Sequence, residues 1–200
     1  MRSEKELVKG LIKKDTRYFE EFARRYQHIV YFTSLRMLGE HHEALDASQE
    51  VFLKIWRSIT QLKKDGTLRS WVYRITINTC IDRLRERRRV RDRETTDNVI
   101  WLTLPAEGMS PQEYAQRAEE YRRLKQAMDS LTQRQRSIFV LRHFQNLKMQ
   151  EIADIMEVPL GTVKATLYQA FLKLKGMLMG ESGDKAVEER PKHQIGSRES

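Results

Sequence analysis

Apolar residues recur every three or four positions along most of this chain and hardly alternate anywhere, so the pattern predicts helices rather than strands. Residues 4 to 14 place Leu7, Val8, Leu11 and Ile12 on one side. Asp15 or Thr16 caps a second helix with apolar positions Phe19, Phe22, Ala23, Tyr26, Ile29, Val30 and Leu35. Gly39 and the polar GEHHE segment read as a turn. From Glu43 onward, Leu45, Val51, Phe52, Ile55, Trp56 and Ile59 mark a buried side, while Asp46, Gln49, Glu50 and Lys54 point outward. Lys63, Lys64, Asp65 and Gly66 form a loop that leads into a helix over 70 to 93. That helix has a stripe of Trp71, Arg74, Asn78, Asp82 and Arg85, and an apolar side of Tyr73, Ile77, Cys80, Ile81 and Leu84, with Val72 and Ile75 flanking the stripe. Its end carries Arg87, Arg88, Arg89, Arg91 and Arg93, too basic a run to be buried.

The helical pattern stops between 92 and 112, where Trp101, Leu102 and Leu104 precede Pro105, Gly108 and Pro111. This stretch reads as an inter-domain linker, with Trp101 expected against one of the two domains. Ser110, Pro111 and Glu113 then start a helix that continues through Tyr114, Ala118, Tyr121, Leu124 and Met128. The run from Leu131 to Arg136 caps another helix, carrying Ile138, Phe139, Leu141 and Phe144. After a turn at Asn146 come a short helix over 149–156, a turn at Val158 to Gly161, and a last helix that Thr162 is expected to cap. Two short helices joined by a tight glycine-containing turn, the second of them basic, spell a helix-turn-helix. Ala153 leaves room for the crossing, and Val163 and Leu167 face the core. Lys164, Ala165, Tyr168 and Gln169 therefore point outward, and Lys173 and Lys175 fall where backbone phosphates are expected. Residues 181–200 lack an apolar period and are expected to be disordered.

The fold class expected is all-α: two small helical domains, 1–91 and 113–180, joined by a flexible linker over 92–112. Nine glycines and four prolines in 200 residues suit that class. The net charge of +9 favours a polyanionic partner, nucleic acid before membrane. One cysteine, Cys80, excludes an internal disulfide and fits a reducing compartment. The charged N-terminal segment is no signal peptide and no apolar run approaches a membrane span, so a cytoplasmic protein without membrane insertion is expected.

The basic stripe at 71–85 has the chemistry of a nucleic-acid surface. An aromatic can stack on a base, an amide can read a base edge, and arginines hold phosphates, although a solvated helix end would carry similar residues. The acidic, amide-rich face at 46–54 is unusual in so basic a chain and suits a docking helix from a partner. Enzymatic chemistry finds no support. Cys80 lies on an apolar side, His28 and His143 lack an evident Ser or Asp partner, and adjacent His41 and His42 make a poor metal pair. Neither a metal nor a cofactor is expected. A stand-alone helix-turn-helix regulator would explain 131–175, but would leave the 46–54 face and the Trp-Arg-Asn stripe without a role.

These residues also carry a resemblance. The order D-x-x-Q-E-V-F-L-x-x-W (46–56), a glycine-containing loop, then R-S-W-V-Y-R-I-x-x-N-x-x-x-D-x-x-R-x-x-x-R (69–89) is similar to region 2 of the extracytoplasmic-function (ECF) group of bacterial sigma-70 factors. L-T-x-x-Q-R-x-x-F-V-L-R-x-F-x-x-L-x-x-x-E-I-A-x-I-M-x-V-P-x-G-T-V-K (131–164) resembles region 4 of the same group. Region 1.1 and the large region 3 of housekeeping sigma factors have no counterpart here. The resemblance implies that Asp46, Gln49, Glu50, Leu53, Lys54 and Trp56 bind the β′ clamp helices of core RNA polymerase. It implies that Leu62, Lys63, Lys64, Trp71, Arg74, Asn78, Asp82, Arg85 and Arg88 engage the −10 promoter DNA and capture a flipped base. It assigns −35 recognition to Thr162, Lys164, Ala165, Tyr168, Gln169 and Lys173. An anti-sigma factor is a further partner the resemblance allows, and the linker would pass near the RNA exit path. Two positions depart from the pattern. Leu62 stands where several relatives have an aromatic against the flipped base, and Gln169 stands where some have Arg, which shifts the expected preference from guanine toward adenine.

Overall fold

A computed structural model describes residues 2–62, 67–91 and 110–179. Lys63, Lys64, the 92–109 stretch with Trp101 and the 181–200 tail lie outside the described residues, as do the side chains of Arg91, Tyr114, Ala118 and Tyr121.

Helix α1 (Glu4–Ile12) opens with a capping box: Ser3 Oγ accepts from Glu6 N at 3.3 Å and Ser3 N donates to Glu6 Oε2 at 2.8 Å. Gly10 lies so close to Tyr18 that a Cβ there would sit 2.1 Å from the ring, and this close approach seats α1 on α2 (Thr16–Leu38). Asp15 caps α2 by accepting from Arg17 N at 3.0 Å, and Gly39, at φ 75°, ends it.

Helix α3 (His41–Ser58) departs from the expected pattern in two ways. The left-handed Gly39 reverses the chain by itself, with Glu40 extended, so His41 and His42 enter the first turn of α3 and are not loop residues. Leu45, expected inside, is 40% exposed, because Ala44, Ala47, Ser48 and Val51 turn inward instead. Small side chains at that seam let α3 approach α2 and α4 closely. A 3-10 turn (Ile59–Gln61) precedes α4 (Leu68–Arg91). Thr67 Oγ1 accepts from Ser70 N at 3.1 Å, and Leu68 N donates to Glu4 Oε1 at 2.6 Å, so the start of α4 is held by α1 as well.

The second unit comprises α5 (Pro111–Ser130), α6 (Gln133–Phe139), a π turn (Val140–Phe144), α7 (Met149–Met156) and α8 (Leu160–Met179). Thr132 caps α6 in a capping box with Gln135. Thr162 is not the N-cap of α8. The helix begins two residues earlier, and Pro159 O accepts from both Thr162 N and Val163 N. Proline at that point fixes φ and has no donor to lose, which moves the start ahead of the threonine.

Two cores result. One lies inside the first unit, where Leu11, Phe22, Tyr26, Val30, Val51, Ile55, Ile59, Leu68 and Val72 meet. The other crosses between units: Met37, Leu38, Tyr73, Ile77 and Cys80 pack with Leu131, Ile138, Leu141, Leu147, Ile152, Ile155, Val163 and Leu174. Helix α4 borders both cores.

Candidate nucleic-acid interface

On α3, Asp46 and Gln49 are exposed and Leu53 stands 54% exposed between them and the helix end. The outward face narrows to those residues. Glu50 pairs with Lys54 at 2.8 Å and with Arg83 of α4 at 3.0 Å, and Lys54 Nζ donates to Thr79 Oγ1 at 3.1 Å. Burial pushes the Glu50 carboxyl up, but hydrogen bonds from Lys54 and Arg83 outweigh it and hold the group below the usual carboxylate range. Trp56 is half-buried against Phe19, with Lys14 over its ring. Asp46, Gln49 and Leu53 thus present the free part of this surface. Arg83 is a positioning residue that sequence reasoning passed over.

On α4 the stripe is graded in exposure. Asn78, Asp82, Arg85 and Arg88 are exposed, with Arg85 3.7 Å from Asp82. Trp71 packs partly into the first core and Leu62, just before the loop, does the same, so each shows only part of its surface. Arg87, expected in the free arginine run, folds back to Leu38 O and Glu43 Oε2, both at 3.4 Å. A partly apolar seam explains that: burial raises the Glu43 carboxyl, and the Arg87 charge offsets part of its cost.

Arg74 has a different neighbour from the one its stripe suggests. Its Nη2 donates to Asp154 O at 2.7 Å, its Nε to Ile155 O at 3.3 Å, and its Nη1 pairs with Glu157 at 2.8 Å. The last carbonyls of α7, orphaned at a helix C-terminus, are thereby satisfied by a cation. Next to it, Tyr73 OH donates to Gln145 Oε1 at 3.1 Å.

On α8, Lys164, Ala165, Tyr168 and Gln169 all face solvent near the helix start, Tyr168 being 65% exposed. Their opposite face, Val163, Thr166, Ala170 and Leu174, is buried. Thr162 is half-buried in the first turn. Lys173 donates to Ser130 O at 2.5 Å and so caps α5.

Cys80 is fully buried, and that burial pushes its thiol up to about 12 despite the opposing effect of the Ser34 hydroxyl. Among the described residues no cluster of His, Cys, Asp and Glu suits a metal, and no helix is long and apolar enough to cross a membrane. A cavity of about 70 Å³ lies between the units, lined by Arg87, Arg88, Asp129, Gln133 and Arg136 among others, too small for an organic cofactor.

Two family models match the chain: sigma-70 region 2 over residues 22–90 and sigma-70 region 4 over residues 121–174. The sequence is 33% identical over 143 residues to the RNA polymerase sigma factor SigV of Bacillus subtilis, covering 70% of this chain and 78% of that one. It is 28% identical over 179 residues to the ECF RNA polymerase sigma factor SigW of the same organism, covering 87% and 96%. To the ECF sigma factor SigE of Mycolicibacterium smegmatis it is 30% identical over 168 residues, 84% of this chain and 64% of that longer protein. Among solved structures, CnrH in complex with the cytosolic domain of CnrY aligns with a TM-score of 0.64 at 19% identity, covering 90% and 99%. The sigma factor RpoE of Bartonella quintana, in complex with the anti-sigma factor NepR, aligns at 0.62 and 20% identity, covering 82% and 98%.

Proposed function

The chain belongs to the ECF group of the sigma-70 family, non-catalytic subunits that direct RNA polymerase to promoters, and from that premise we propose how its surfaces divide the work. Residues 1–91 form the polymerase-binding and −10 unit, 92–112 the linker, and 113–180 the −35 unit. The exposed part of α3 (Asp46, Gln49, Leu53) meets the β′ clamp helices, while Glu50, Lys54 and Trp56 hold that surface in shape. Lys164, Ala165, Tyr168 and Gln169 read the −35 major groove, and Thr162 and Lys173 border its backbone.

Helix α4 takes the −10 strand. Asn78 contacts the edge of a flipped base beside Trp71 and Leu62, Lys63 and Lys64 add positive charge toward the strand, and Arg74, Arg85 and Arg88 bind phosphates, with Asp82 orienting Arg85. Unstacking the base costs about a few kcal/mol, which contacts to its edge and face offset. The single observation that carries this reading is the pair of outward stripes, one on α4 and one on α8, each backed by a core face of its own helix. We place the protein in the cytoplasm, where polymerase and promoters are. By analogy with the Bartonella RpoE complex, an anti-sigma factor is a proposed partner.

Transcription of sheared genomic DNA by core polymerase, with and without the protein, tests this by sequencing RNA 5′ ends. New starts sharing −10 and −35 elements are expected. Asn78→Ala should weaken melting and Asp46→Ala should weaken binding to core polymerase. An unchanged set of starts would sink the assignment.

A further inference from the structure

We propose that the outward face of α2, continued by Phe144 of the π turn, is a further nucleic-acid surface that takes a single strand without reading its sequence. This goes beyond the promoter reading, which uses α4 and α8 and leaves the face of α2 without a role.

Arg24, His28, Phe32 and Arg36 recur every four residues along α2, so they share one face, and all four are exposed. Arg25 is exposed beside them. The other side of the helix, with Phe22, Tyr26, Val30 and Met37, fills the cores and so fixes this face outward. Its cations are uncommitted. Arg24, Arg25 and Arg36 form no ion pair among the described residues, whereas Arg17, Arg85, Arg122 and Arg123 each pair with a carboxylate. Of the nearby acids, Glu21 is taken by Arg2, and Glu20 stands at the N-terminal end of the row.

Aromatic rings lie in the open among those cations. Phe32 is 46% exposed, and the His28 ring stacks on it at 6.1 Å with an interplanar angle of 13°. Arg36 lies 4.6 Å over the ring of Phe144, itself exposed, so the second unit extends the row. A protein partner calls for an apolar patch with few charges at its centre. Here a guanidinium separates one ring from the next, which matches a strand: bases stack on the rings and phosphates lie against the arginines. Rings and guanidinium groups meet every base alike, so the contact is indifferent to sequence. From Arg24 to Arg36 the helix rises about 18 Å, at the short end of what single-strand binders use.

The experiment uses the full chain with fluorescent oligothymidylate and oligouridylate, each 12 nucleotides long, and a mixed-sequence duplex of the same length. Anisotropy is read across a salt series, and circular dichroism checks that each variant is folded. Phe32→Ala should weaken single-strand binding by about 5- to 100-fold, the range for one lost stacking contact, and leave duplex binding and the set of transcription starts unchanged. Phe32→Tyr, which keeps a ring, should bind like wild type. Arg24→Ala and Arg36→Ala should each lower the salt slope on a single strand by about 0.7. A 4-thiouridine strand should crosslink to the α2 peptide that holds Phe32.

Crosslinks confined to α4 and α8, or single-strand affinity and slope untouched by the α2 variants, would overturn the proposal. The promoter reading would then stand or fall separately, on Asn78→Ala and the mapped starts. Equal losses on single strand and duplex in Phe32→Ala would show a disturbed fold in place of a stacking site, and would overturn it too. With Phe32 dependence in hand, tighter binding of oligouridylate marks the strand as RNA, tighter binding of oligothymidylate marks it as DNA, and equal affinity marks the chemistry the two share.

Discussion

Arg136 is 5% exposed, and its guanidinium donates to Met128 O, Met37 O and Asp129. The planar fork of arginine reaches carbonyls on both units from three separate nitrogens, whereas an ammonium presents all its donors from one atom. Arg136→Lys should leave a buried carbonyl unmet and cost about 2 kcal/mol, seen as a lower urea midpoint at unchanged slope. A midpoint equal to wild type would show that the fork is dispensable. Cys80 makes a second prediction at this scale. Its folded thiol lies at about 12, above an unfolded value of about 8.5. The contribution to stability is thus full below about pH 8.5 and is lost as pH rises from there toward the folded value. The native thiol should resist a disulfide reagent at pH 8 and react once unfolded in guanidinium; fast native reaction would contradict its burial. The burial of Cys80 was legible from the apolar side on which it lies, whereas the surroundings of Arg136 were not, because its partners include Met37, far away in sequence.

Helices were the most legible level. The 3.6-residue period placed α2, α4 and α7 well, because each buries one stripe, on α4 from Leu68 to Cys80. Their edges were less legible. Gly39 ended α2 but also launched α3 sooner than the polar GEHHE segment suggested, and Pro159 moved the α8 start ahead of Thr162. The α3 interior was misjudged at Leu45, since a seam of Ala44, Ala47 and Ser48 carries a weak hydrophobic signal. Gly10 was silent for the same reason: its role is the absence of a side chain against Tyr18. Gly10→Ala should force that ring or α1 to move and cost about 1–3 kcal/mol, with faster amide exchange across α1 as the local check. Unchanged exchange would mean the ring simply swings aside.

The two units share a core, and that changes how the whole molecule should unfold. Met37, Tyr73 and Ile77 lose their partners if Ile152, Ile155 and Leu147 depart, so neither unit keeps its full burial alone. In a Trp101→Phe variant the remaining tryptophans, Trp56 and Trp71, report the first unit only. Their fluorescence and far-ultraviolet circular dichroism should give coincident urea transitions. A second-unit transition at clearly lower urea would show that the seam contributes little.

Several features belong to the sequence alone. The all-α class follows from periodicity, and the net charge of +9 favours a polyanionic partner. The two family-specific motifs carried the assignment to the sigma-70 family, and the outward residues of α8 could be named from the turn before them. These depend on spacing along one helix, which a single chain displays. Only the tertiary structure decided that Glu50 and Lys54 are tied to Arg83 and Thr79, that Arg87 folds back, and that Arg74 reaches α7. Each of those is a contact between elements distant in sequence, where side chains of suitable chemistry are plentiful and only packing selects which of them meet.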